Sequence, residues 1–229
     1  MDDLDLLSQA RARYPEHVAL VDDRSRWTFE ELGRAVDGLR HSYPLLRDSQ
    51  ARILCLDAAP SCEWVIFALA AWRAGHRVLP LGRRLASAER DALLECLQPD
   101  HVASADELEA WAPRLAGMKA TAPAPTAFVP GAETWVLTSG STGSPRVARL
   151  SWASQVAHAR ISAATLGLGP GDTWWTDLPL NHVGGLGILV RSWVSGCRVW
   201  LRVRVDPEAM DRAVEAGSVS RVSVVPTTY

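Results

Sequence analysis

The segment TSGSTGSPR, residues 138–146, carries the residue types that a bound anion needs. Gly140 and Gly143 permit backbone conformations that turn several N–H groups toward one oxyanion. The hydroxyls of Thr138, Ser139, Ser141 and Thr142 add short donors, and Arg146 adds a planar, forked cation. Chemically this describes a phosphate cradle. It is not the mononucleotide P-loop, which requires Gly-Lys followed by Ser or Thr, because Gly143 here precedes Ser144 and Pro145. The same composition also marks ordinary Gly/Ser turns, so the residues alone leave both readings open.

Other candidate chemistry is thinner. GLGPG at 167–171 mimics a dinucleotide fingerprint, but it follows a helical pattern and precedes a strand pattern, the reverse of what that motif requires. A serine-hydrolase elbow is absent, since Ser139 stands where its first glycine belongs. Lys119 is the sole lysine, which restricts Schiff-base chemistry to that position. The four cysteines form no CxxC pair and have no histidine at zinc-finger spacing, so they read as reduced, packed thiols. Arg191, inside the apolar helix pattern GILVRSWV, reads as a surface or ion-paired residue rather than a carboxylate clamp. No metal ligand is assigned.

Strand and helix patterns alternate around these residues, which predicts an α/β fold with parallel sheet. The phosphate-type loop follows the strand run TWVLTS, and LPLNHVGG links the strand run TWWT to the helix GLGILVRSWVSG. Thr28 with Glu31 forms a capping-box signature for a helix over FEELGRAVDGLRHSY. Ser61 opens a helix closed by Gly75, and Ser87 is the expected N-cap of SAERDALLECLQ. Residues 119–133 are rich in Ala and Pro and read as a linker between a first α/β lobe, 1–118, and a second, 134–229.

Composition narrows the classes further. Twenty-four Lys and Arg against 26 Asp and Glu leave a net charge of −2, with no basic excess for generic nucleic-acid binding. Apolar stretches such as WVIFALAAW, 64–72, fall short of the roughly 20 residues that span a membrane. With no basic and apolar leader after Met1, the expectation is a soluble, cytoplasmic protein without membrane partners.

TSGSTGSPR resembles the signature loop of the AMP-forming adenylating enzymes, the superfamily of acyl-CoA synthetases, peptide-synthetase adenylation domains and luciferases. The stretches WTFEELGR, ILCLDAAPSCEWVIFALAAWRAGHRVLPL and LPLNHVGGLGILVRSWVSGCRVWL follow in that superfamily's order. The last is most similar to the o-succinylbenzoate–CoA ligases of menaquinone biosynthesis. The resemblance covers the whole chain but only the first half of such an enzyme. It implies two lobes of parallel or mixed sheet wrapped by helices. It further implies activation of a small carboxylic acid by ATP with Mg2+, and transfer of the acyl group to coenzyme A as co-substrate.

Carried over residue by residue, Thr138, Ser139, Gly140, Ser141, Thr142 and Gly143 would hold the β- and γ-phosphates of ATP. Arg146 stands where the family usually has lysine, which keeps the charge but changes its shape. His182 corresponds to the position beside the acyl pocket, with Gly184 and Gly185 letting substrate approach the backbone; by residue type alone it is an ordinary strand-end histidine. In the family the magnesium-binding acid, the ribose-binding aspartate, the hinge and the lysine of the mobile C-terminal domain all follow the point reached at Tyr229. The chain by itself is therefore expected not to complete the reaction, and the strand at RVSVVPTTY is expected to leave an edge that favours self-association. The alternatives are a peptide-synthetase adenylation domain and a non-catalytic nucleotide-binding half-domain.

Overall fold

The computed structural model of the chain describes residues 2–48, 50–82, 85–121, 123–138 and 146–224. Helix α1 spans Leu6–Arg13, strand β1 Val18–Val21, β2 Arg26–Thr28 and α2 Phe29–Ser42. Then come β3 (Ile53–Asp57), α3 (Cys62–Arg73), β4 (Arg77–Pro80), α4 (Ser87–Leu97), β5 (His101–Ser104) and α5 (Ala105–Met118). The remaining elements are β6 (Glu133–Thr138), β7 (Arg146–Ser151), α6 (Trp152–Thr165), β8 (Thr173–Thr176), α7 (Val183–Ser195), β9 (Arg198–Leu201), α8 (Pro207–Glu215) and β10 (Arg221–Val222).

The helix ends follow local chemistry. Thr28 Oγ1 accepts from the Glu31 N–H at 3.1 Å and Glu31 returns a carboxylate to the Thr28 N–H at 2.9 Å, completing the expected capping box. Ser61 caps α3 through the Trp64 N–H at 3.1 Å, and Gly75 ends that segment with φ +80°. At α4 the cap is Ala86, one residue before the expected Ser87, and its N–H is taken up by Glu89 at 3.2 Å. Helix α5 was not anticipated, although Ser104, accepting from Glu107 N–H at 3.2 Å, supplies an ordinary N-cap.

The strands form two five-stranded sheets, ordered β10-β8-β9-β1-β2 and β5-β3-β4-β6-β7. In each, four parallel strands end in one antiparallel hairpin partner, β2 on β1 and β7 on β6. The sheets are therefore mixed: connections as short in sequence as those between β1 and β2 and between β6 and β7 leave no room for the crossover that a parallel pair needs. Strand pairing also cuts across the division of the sequence at 119–133. The first sheet joins β1 and β2 to β8, β9 and β10, while β6 and β7 continue the sheet begun by β3, β4 and β5.

Helices packed between the sheets hold them together. Trp72 of α3, Trp152 of α6 and Trp193 of α7, all at most 4% exposed, form an aromatic cluster with centroid separations of 5.3, 6.2 and 6.3 Å. Trp152 Nε1 donates to the Leu4 carbonyl at 2.9 Å, tying the N-terminal segment to the same centre. Among the described residues no helix is long and apolar enough to cross a membrane.

Candidate active site

In open α/β sheets ligands bind outside the C-terminal strand ends, which directs attention to the residues that follow β4, β6 and β8. Thr138 closes β6 and Arg146 opens β7, and the two face each other in the hairpin register. Thr138 Oγ1 donates to the Arg146 carbonyl at 3.3 Å, which pins the two ends of the intervening loop together. Ser139, Gly140, Ser141, Thr142 and Gly143 lie outside the described residues. The Arg146 side chain is exposed and makes no ion pair or hydrogen bond among the described residues.

Strand β4 lies beside β6, with Val78 opposite Thr134. Gly82 follows β4 by two residues. A Cβ at Gly82 would fall 2.8 Å from Asn181 Nδ2, so the second sheet touches the segment between β8 and α7 at this point. That contact sets Asn181, the chain neighbour of His182, against the segment just after β4. Asn181 and Gly82 were not singled out from the sequence, since nothing local marks a contact between separate sheets.

His182 is the N-cap of α7, and its imidazole makes no capping bond and is exposed. The orphan N–H groups of the first turn of α7 give this end partial positive charge. Gly185 is buried, and a Cβ there would meet Pro179 O at 2.5 Å, Pro179 C at 2.9 Å and Leu178 O at 3.0 Å. Its close approach is thus made by the chain's own backbone. Gly184 is exposed, with only Leu178 Cδ1 nearby at 3.7 Å. Gly185→Ala is expected to cost about 1–3 kcal/mol, as overpacking does, while Gly184→Ala stays within about 0.5 kcal/mol or gains from helix propensity. Urea midpoints of the two variants check this, and equal midpoints would refute the close-approach reading.

Two further groups flank the segment. Asp177 is half-buried after β8, and burial pushes its carboxyl above the usual carboxylate range. The lone acid within TWWTDLPL was the signal available for it. Arg191 of α7 forms no ion pair among the described residues, which departs from the ion-paired form of the sequence expectation. It is half-buried with its guanidinium 4.9 Å from the Trp174 ring centroid, and burial lowers its pKa. The indole face takes the place of a carboxylate because β8 presents Trp174 directly beneath α7.

The model of one family, described as AMP-binding enzyme, matches residues 7–229. The chain belongs to that family. Among its relatives, the 2-succinylbenzoate–CoA ligase of Listeria monocytogenes serotype 4b (strain F2365) is 30% identical over 229 residues, covering 95% of this chain and 48% of the relative. The ligase of the same name from Bacillus pumilus (strain SAFR-032) is 29% identical, covering 93% and 46%. The chain thus spans about half the length of the curated relatives it matches. Solved structures share the fold. The o-succinylbenzoate CoA synthetase (MenE) of Bacillus subtilis, in complex with the acyl-adenylate intermediate OSB-AMP, superposes with a TM-score of 0.80 at 23% identity over 97% of this chain and 62% of that one. The inhibitor-bound N-terminal domain of FACL13 from Mycobacterium tuberculosis gives 0.80 at 19% identity, over 99% and 63%.

Proposed function

We propose that this chain supplies the phosphate-holding and acid-binding part of an AMP-forming acid–thiol ligase, with 2-succinylbenzoate or another aryl acid as the carboxylate. The observation that carries the reading is the match to the AMP-binding enzyme family over residues 7–229, supported by Thr138 facing Arg146 across the β6–β7 pair and by Asn181, next to His182, packing against Gly82 after β4. The names of the relatives supply the acid.

The reaction has two steps. A carboxylate oxygen attacks the α-phosphorus of ATP and the bond to pyrophosphate breaks, leaving an acyl-adenylate. The thiol of coenzyme A then attacks the acyl carbon, its proton leaves, and the bond to AMP breaks to give the thioester. Arg146 and Thr138, with the loop residues between them, hold the β- and γ-phosphates and neutralise charge that grows on the departing pyrophosphate. The donor set fits a triphosphate, and among the described residues no three His, Cys, Asp or Glu side chains converge on a bare cation. Magnesium, when bound with ATP, would supply further neutralisation through phosphate oxygens. His182 and the first turn of α7 orient the acid by hydrogen bonding and by the partial charge of the helix end.

The test is kinetic. In the enzyme that contains this chain, His182→Ala is expected to raise KM for the aryl acid or lower kcat by about tenfold or more, the effect of one lost charge-assisted hydrogen bond, and to leave ATP affinity unchanged. Unaltered kinetics across 2-succinylbenzoate, simpler aryl acids and amino acids would remove His182 from the acid site.

A further inference from the structure

A second cavity, of about 340 Å³, opens where β1, β3 and β9 end and α3 and α5 begin. Ala59, Pro60, Leu108 and Leu201 give it an apolar wall, and Asp22, Asp23, Glu63, Glu109 and Arg24 supply its charge. Most of that charge is already committed. Asp22 accepts the N–H groups of Arg24, Ser25 and Cys62 at 2.9, 2.8 and 2.8 Å, and Asp23 pairs with Arg202.

Glu63 is different. It is 5% exposed, yet its Oε2 has no hydrogen-bond donor. The nearest cation is Arg24 Nη2 at 3.7 Å, beyond hydrogen-bond length, on a side chain 59% exposed that also reaches Glu109 at 3.3 Å. A buried carboxylate oxygen without a hydrogen-bond donor is costly, and the start of α3 relieves it only in part through the helix dipole. The cavity therefore holds an unanswered demand for N–H donors carrying positive charge.

The geometry points to a binding site for a small organic cation, a primary ammonium that donates to Glu63 and lays a short alkyl body on Ala59, Pro60, Leu108 and Leu201. A bare metal ion is disfavoured because no three ligating side chains converge among the described residues and one wall is apolar. An anion is disfavoured by four carboxylates around the opening. Arg24 is the resident counter-ion that the ligand displaces, which its exposure and loose contact allow. None of these residues belongs to 138–146 or 178–185, so the proposal stands or falls apart from the ligase reading.

The experiment titrates 1,4-diaminobutane into the chain, into Glu63→Gln and into Arg24→Ala, by calorimetry and by amide chemical-shift perturbation. Sodium chloride of matched ionic strength and 1-butanol serve as controls. Saturable binding is expected in the parent chain, at least about tenfold weaker in Glu63→Gln because a charged hydrogen bond is lost, and tighter in Arg24→Ala because a competing cation is gone. Amides of Ala59, Ser61 and Leu108 should shift. Absence of saturable binding at millimolar amine, equal affinity in Glu63→Gln, equal binding of 1-butanol, or weaker binding in Arg24→Ala would each overturn the site. Arg24 lies at the surface, so that variant carries the test even if Glu63→Gln does not fold.

Discussion

Asp37→Ala is expected to destabilise the chain by about 3–5 kcal/mol, the cost of breaking a buried ion pair from one side. Asp37 lies on α2 and is 1% exposed. Its Oδ1 accepts from Arg73 Nη1 at 3.0 Å, from the Thr126 N–H at 2.9 Å and from Thr126 Oγ1 at 2.7 Å, and its Oδ2 accepts from Arg11 Nη1 at 3.2 Å. Arg73, 4% exposed, would keep only Asp5 as counter-ion, at 2.9 Å, along with the Ser8 hydroxyl and the Thr126 carbonyl. Arg40 nearby adds to the strain: burial and the Arg73 charge both pull its pKa down, so a second cation is already poorly accommodated. Set against a total stability of about 5–15 kcal/mol, this loss lowers the melting temperature by roughly 6–20 °C. The exposed pair Arg212–Glu208, with side chains 68% and 88% exposed, is the internal comparison. Glu208→Ala should cost no more than about 0.5 kcal/mol. Thermal and urea unfolding of both variants decide the matter, and similar losses would show that the Asp37 network does not hold the connector around Thr126.

The second large effect concerns ATP. Arg146→Ala should weaken ATP binding by about 1.5–3 kcal/mol, the worth of hydrogen bonds to a charged group, or roughly 10- to 150-fold. Because the side chain is exposed and unpaired among the described residues, stability should move by less than about 0.5 kcal/mol. Arg146→Lys restores the charge on a compact ammonium and should recover most of the affinity, separating charge from planar shape. Calorimetry with ATP and magnesium gives the comparison. Equal affinity in all three proteins would sink the cradle assignment.

The proposed function depends on how the two sheets meet. A triphosphate needs donors from one loop, the acid needs a pocket beside it, and a reactive complex needs both held to within ångströms. The β6–β7 pairing brings Thr138 to Arg146, and the contact of Asn181 with Gly82 brings the segment before α7 to the segment after β4. The tryptophan cluster of α3, α6 and α7 braces that meeting from inside.

Features that close within a few residues could be read from the amino-acid order. The Thr28–Glu31 capping box, the Ser61 cap, the stop at Gly75 and the strand runs on either side of residues 138–146 are local hydrogen-bond and torsional matters, legible from residue type and spacing. Only the tertiary structure decided what depends on distant partners: that Leu20 of β1 lies beside Val199 of β9, that Gly185 yields to the carbonyl of Pro179, that Arg191 rests on Trp174, and that Glu63 is buried without a donor. Sheet order and the fate of a buried charge are set by which faces are brought together when apolar surface leaves water. That hydrophobic driving force is non-directional, so the pairs it brings together are specified by the packed whole rather than by any short segment.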